Sequence, residues 1–192
     1  NIDSLCARFD WDIKAHNLSS VKRYLGLTGI NLPPMTLNAY TSVDGSHYHA
    51  DAILNEGRGN IRLKGYYDAS AEKYEAAARI NGINVRDFLP RDSIGTIFLT
   101  ANVKGTGTDI YAPSTSISGS VDLQSLKYGS WLISKVNALA SLRAGKIQAN
   151  LLSCNELLDA VIASSARIKK SGVDNFTLDA QVDRAELHAL RI

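Results

Sequence analysis

Between Lys73 and Tyr111 apolar and polar residues change places at every step, break once, and resume. Tyr74, Ala76, Ala78 and Ile80 alternate with Glu75, Ala77, Arg79 and Asn81. Beyond Pro90, Ile97, Leu99, Ala101 and Val103 alternate with Phe98, Thr100, Asn102 and Lys104. A period of two places one face of a strand against apolar surroundings and the other in water. Between the two runs, Val85, Phe88 and Leu89 have the spacing of a single amphipathic turn. The stretch therefore predicts a strand, a short helical or looped corner, a second strand and a glycine turn.

The same order occurs earlier. FDWDIKAHNL precedes SSVKRYLGL and then MTLNAYTSVDG, so that Val21, Tyr24 and Leu25 answer Val85, Phe88 and Leu89. Leu37, Ala39, Thr41 and Val43 answer Ile97, Leu99, Ala101 and Val103. A third opening, FTLDAQVDRAELHALRI, starts at Phe176 and ends at Ile192 with its corner just entered; Glu186 and His188 there are expected to face water. Self-similarity of this kind is the mark of repeat architectures. Residues 1–192 are read as one β-repeat segment of a longer protein, with approximate repeats at 9–72 and 73–175 and the start of a third at 176–192.

The other strands follow from the same alternation. Phe9, Trp11, Ile13 and Ala15 oppose Asp10, Asp12, Lys14 and His16, and Asn31-Leu-Pro-Pro34 breaks the chain before Met35. Asp44-Gly45 is a hairpin signal. Tyr48, Ala50, Ala52 and Leu54 form the next apolar face, and Ile61, Leu63, Gly65 and Tyr67 the one after the Gly57 and Gly59 turn. Later come Ile117 to Leu123, Trp131 to Leu142 and Lys146 to Cys154. Asn155 to Lys170 suits either a helix, capped by Asn155 and closed by Gly172, or a strand; the strands on both sides favour the strand. Such faces fit a sandwich, a closed barrel or an open curved sheet. Runs of about ten residues would extend about 33 Å, longer than usual, and the inward positions are often only Ala, Gly or Thr. Together these features predict a mainly β fold: a long antiparallel meander around a wide, shallow concavity, with short helical corners between repeats.

Composition narrows the function. Hydrophobic residues at 45 % and charged residues at 21 % suit a folded domain, and a net charge of +2 without a basic, aromatic-interleaved stripe argues against nucleic acid. No apolar run approaches the roughly 18 residues that a spanning helix needs. Cys6 and Cys154 are read as two isolated thiols, although a bridge is possible. His47 and His49 share a strand face but lack an evident third ligand, and Asp10 and Asp12 read as a solvated pair. Gly105-Thr-Gly-Thr-Asp109 opens no helix, so it reads as a turn and not a phosphate loop. No nucleophile elbow or Cys-His pairing is present. The expectation is no catalytic residue, no metal and no cofactor.

The alternating strands, the corner RINGINVRDFLP and the following IGTIFLTANVKGTGTDIYAP resemble the AsmA-like superfamily, most closely its TamB branch (translocation and assembly module subunit) in a Bacteroidetes-like version. The likeness runs from about Phe9 onward and is one of pattern, without an invariant motif. It implies a half-open groove, often called a β-taco, in a periplasmic protein anchored in the inner membrane by a helix outside these residues. It further implies a role in outer-membrane biogenesis: phospholipid transport, protein translocation and assembly, or both. The partners would be phospholipid acyl chains, with an outer-membrane assembly protein reached through other parts of the chain.

On this reading the groove is lined by Leu37, Ala39, Val43, Ala50, Ala52, Leu54, Ile61, Leu63, Ala76, Ala78, Ile97, Leu99, Ala101 and Val103. The competing expectation is that these residues fill a closed core. In that case the chain is a secreted β-sandwich for adhesion or glycan binding, whose exposed aromatic platforms would show. Trp11 and Trp131 are expected to be buried, which speaks against it.

Overall fold

The computed structural model describes residues 5–26 and 28–186. Eleven strands run in chain order: β1 (Cys6–Ala15), β2 (Met35–Asp44), β3 (His47–Glu56), β4 (Gly59–Asp68), β5 (Lys73–Asn84), β6 (Ile94–Thr106), β7 (Ser116–Tyr128), β8 (Trp131–Arg143), β9 (Lys146–Cys154), β10 (Leu158–Lys169) and β11 (Gly172–Ala185). One helix, α1 (Ser19–Tyr24), joins β1 to β2, and a 3-10 turn (Val85–Asp87) joins β5 to β6. Each strand pairs antiparallel with its chain neighbours, in the single order β1 to β11. The sheet is thus an open meander, not a barrel.

Local chemistry sets the boundaries. At Gly45 and Gly57 positive φ values of 56° and 54° supply the tight hairpin turns. The region open to two readings, 155–170, becomes a strand because of what Asn155 does. Its Oδ1 accepts the N–H groups of Leu157 and Leu158 at 3.0 and 3.1 Å, an Asx turn that launches β10. The residue that looked like a helix cap caps a turn. Irregular register between Asn81 and Ile83, and between Phe98 and Leu99, lets neighbouring strands keep their apolar faces together past a bulge.

The two corners differ. Leu89 N–H donates to the Val85 carbonyl at 2.8 Å, and Val85, Phe88 and Leu89 are half-buried. In the first corner Tyr24 is 90 % exposed and Leu25 is exposed as well, so the matching apolar spacing there does not produce matching packing. A 2.7 Å bond from Asn31 N–H to the Phe88 carbonyl ties the corners together.

Almost nothing is buried in the middle of the sheet. The buried residues sit at strand ends: Glu56, Gly59, Ile83, Gly95, Ser153, Leu157 and Ala160 at the corner end, and Gly107, Thr115, Leu142 and Gly145 at the other. The chain presents 13006 Å² of surface, whereas a compact protein of its 20.8 kDa would present about 8,900 Å². Trp11 and Trp131 follow the same logic against expectation: with no second layer to cover them, they are 47 % and 43 % exposed.

Candidate functional site: an apolar channel across the sheet

Register brings the apolar positions of successive strands into rows. One row runs Ala50, Gly65, Ala76, Val103, Gly119, Ala140, Ala149 and Ser164, each opposite the next. Its neighbour on the same face runs Ala52, Leu63, Ala78, Ala101, Val121, Ala138, Leu151 and Ile162. These two rows line one trough of about 790 Å³ that crosses β3 to β10. At about 4.8 Å per strand it is about 34 Å long, and two same-face residues make its floor about 7 Å wide.

Size makes the trough. The two rows are dominated by Ala and Gly, and bulkier residues stand on both sides. Leu54, Ile61, Ile80, Leu99, Leu123 and Val136 form one flanking row. Tyr48, Tyr67 and Tyr74 begin the other, with the first two rings 6.0 Å apart. Neither lining row contains an ionisable side chain or a buried residue. The floor is apolar, and water reaches it.

Of the residues expected to line a groove, Ala50, Ala52, Leu63, Ala76, Ala78, Ala101 and Val103 line this trough. Ala39, opposite Ala52, extends the second row onto β2, beyond the trough. Leu37, Leu54, Ile61 and Leu99 belong to one flanking row, Val43 to the other, and Ile97 pairs with Ile83 nearer the corner. The sequence reading omitted the second half of the floor: Gly119, Val121, Ala138, Ala140, Ala149, Leu151, Ile162 and Ser164. Gly119 and Val121 fall on the alternating apolar positions of Ile117 to Leu123, and the same alternation carried through β8 to β10 would have found the others.

Polar groups gather elsewhere. The Ser70 hydroxyl, chiefly, holds the Asp68 carboxyl below its usual range, aided by the Ser70 and Ala71 amides and His47. A hydrogen bond from Lys169 does the same for Asp174. Glu56 is pushed up by burial and then by the charge of Asp87. His47 lies 3.7 Å from Asp68, and the His49 ring is 6.1 Å from that of Tyr40. Among the described residues no three His, Cys, Asp or Glu converge as metal ligands. Cys6 and Cys154 are exposed and unbridged. Gly105 and Thr106 complete β6, and Asp109 Oδ1 accepts the Tyr111 N–H at 2.9 Å, so that segment is a turn. Glu186 is exposed, and His188 lies outside the described residues.

No family model, no curated protein and no solved structure matches this chain. The trough has to be interpreted from its own chemistry.

Proposed function

We propose that the chain is a section of a conduit that holds the acyl chains of phospholipid, in a periplasm-spanning envelope protein of the AsmA-like, TamB type. The observation that carries this reading is the continuous floor of small side chains crossing eight strands between bulkier flanks. A methylene moved out of water contributes about 0.8 kcal/mol, so a floor about 34 Å long rewards an extended acyl chain along its whole length. Apart from the Ser164 hydroxyl at its β10 end, it offers no directional side chain to fix one position, which suits sliding. No step of bond chemistry is required, and the protein is proposed to be non-enzymatic. Anchorage in the inner membrane and contact with an outer-membrane assembly protein would belong to parts of the protein beyond these residues. The edge strands β1 and β11 could also accept a strand from a client protein during assembly.

The alternative, an adhesion or glycan-binding module, draws on one observation. Phe9 and Trp11 are half-exposed on β1 with ring centroids 6.0 Å apart, as an aromatic platform would be. A sandwich needs two sheets about 10 Å apart, and the described residues form one.

Native mass spectrometry of protein expressed in the periplasm separates the readings. Wild type should retain phospholipid. Ala76→Phe with Ala140→Phe, two exposed floor positions with room for the ring, should retain at least about tenfold less, because displacing even two methylenes from the floor costs that much. Lipid-free wild type with a glycan hit would select the alternative. Unchanged retention in the double variant would sink the channel.

A further inference from the structure

The charges at the end of the sheet away from the corners are unevenly placed. The β8–β9 and β10–β11 hairpin tips lie side by side there, tied by a 2.8 Å bond from Ile168 N–H to the Gly145 carbonyl. Arg143 stands directly opposite Lys146, and Lys146 opposite Arg167. Like charges facing each other across strands destabilise a sheet. Lys169 and Lys170 add two more cations at the second tip. All five are exposed.

The acids nearby offset them only in part. Asp174, across from Arg167, is 2.8 Å from Lys169 and forms its ion pair there, with the Arg167 charge acting on it more weakly. Asp109, on the loop beside the first tip, accepts the Tyr111 amide at Oδ1 and forms no ion pair with a tip cation. Among the described residues no carboxylate forms an ion pair with Arg143, Lys146, Arg167 or Lys170. The third feature is apolar: Val173, which pairs with Ile168 on the face of the hairpin away from Arg167 and Lys169, and Phe176 are both exposed at the start of β11.

We propose that these two tied tips dock on the surface of an anionic phospholipid bilayer. The cations would sit at the headgroup phosphates, where each Lys or Arg near the surface adds to the attraction, and Val173 and Phe176 would enter the headgroup boundary. A soluble acidic partner would complement the charge but would leave both apolar side chains in water. The inference goes beyond the channel reading, since tips can hold a bilayer whatever the trough contains. If both hold, docking sets one rim of the trough against a lipid source.

Cosedimentation of the 192-residue chain with vesicles tests it. Vesicles of mixed phosphatidylglycerol and phosphatidylcholine should bind the protein at low salt and release it as salt rises, while pure phosphatidylcholine should not bind it. Arg143→Ala with Lys146→Ala should bind about 30-fold more weakly. Arg62→Ala with Arg79→Ala, which removes the same charge from exposed mid-strand positions, should bind as wild type does. Far-ultraviolet circular dichroism checks that both variants fold. Equal weakening in the two variants would reduce the effect to net charge and overturn the proposal. So would no binding to anionic vesicles at low salt, or binding to polyglutamate with none to vesicles. Lipid retention in the trough, measured separately, should be the same in the tip variant as in wild type.

Discussion

The floor of the trough and the rims of the sheet are made from the same alternating strands, yet they are packed in opposite ways. Along β3, Ala50 is exposed and Ala52 half-buried, and Glu56, at the end of the same strand, is buried. Along β5, Ala76 is exposed and Ile83 is buried. Rims have a second layer, made of corners and turns, and among the described residues the floor has none. Stability should therefore reside at the rims and ligand capacity on the floor. In a globular domain the large inward residues provide stability at the centre, so this division is specific to an open sheet.

The sharpest way to break the comparison is to truncate one residue of each kind. Ile83 is 5 % exposed and Leu63 is 49 % exposed. Ile83→Ala should cost about 3 kcal/mol, since it removes packed methyls and leaves a cavity. Leu63→Ala should cost under about 1 kcal/mol while reducing lipid retention. Urea denaturation of both variants measures the difference. Equal costs would mean that the floor is a core after all.

A second test probes why the rim is tight. A Cβ on Gly59 would stand 2.6 Å from the Gly82 carbonyl oxygen, where β4 and β5 approach each other beside the bulge. Backbone cannot yield as a flexible side chain would. Gly59→Ala should lose about 2 kcal/mol by overpacking, whereas Gly65→Ala, with open space at its Cβ, should lose little. Thermal melts of the two variants give the contrast, and similar midpoints would refute close backbone contact at the rim.

The strands were legible because alternation is a property of each strand by itself. Met35 to Asp44 and Lys146 to Cys154 were read to their observed ends. The antiparallel meander and the apolar face followed from the same signal, which fitted a sandwich, a barrel and an open sheet alike. The extent of the trough and the division between its floor and flanks were not legible, because they depend on which residues stand opposite each other. Nothing within β5 alone says that Ala76 will meet Gly65 on one side and Val103 on the other. Bulges shift that register, and the sequence gives little sign of them. Burial was misjudged at Trp11 and Trp131 for a related reason. An alternating face predicts which side is apolar but not whether anything covers it, and among the described residues nothing covers these two.

The smallest expected effect concerns the rim's buried acid. Glu56 lines a pocket beneath the corners together with Asp87 and Asn31. Burial, and then the Asp87 charge, raise its pKa above the ordinary carboxylate value. A carboxyl whose folded pKa is raised favours folding most when it is neutral. Its contribution is complete below the ordinary pKa and is lost as pH rises through the folded one. Wild type should therefore lose stability across the pH range just above the usual carboxylate pKa. Glu56→Gln, neutral throughout, should be free of that loss and be more stable at neutral pH by under about 1 kcal/mol. Melting midpoints from acidic to neutral pH should show the two proteins diverging as pH rises. Parallel curves would mean that Glu56 carries its charge without penalty, and the corner end would then be wetter than its burial implies.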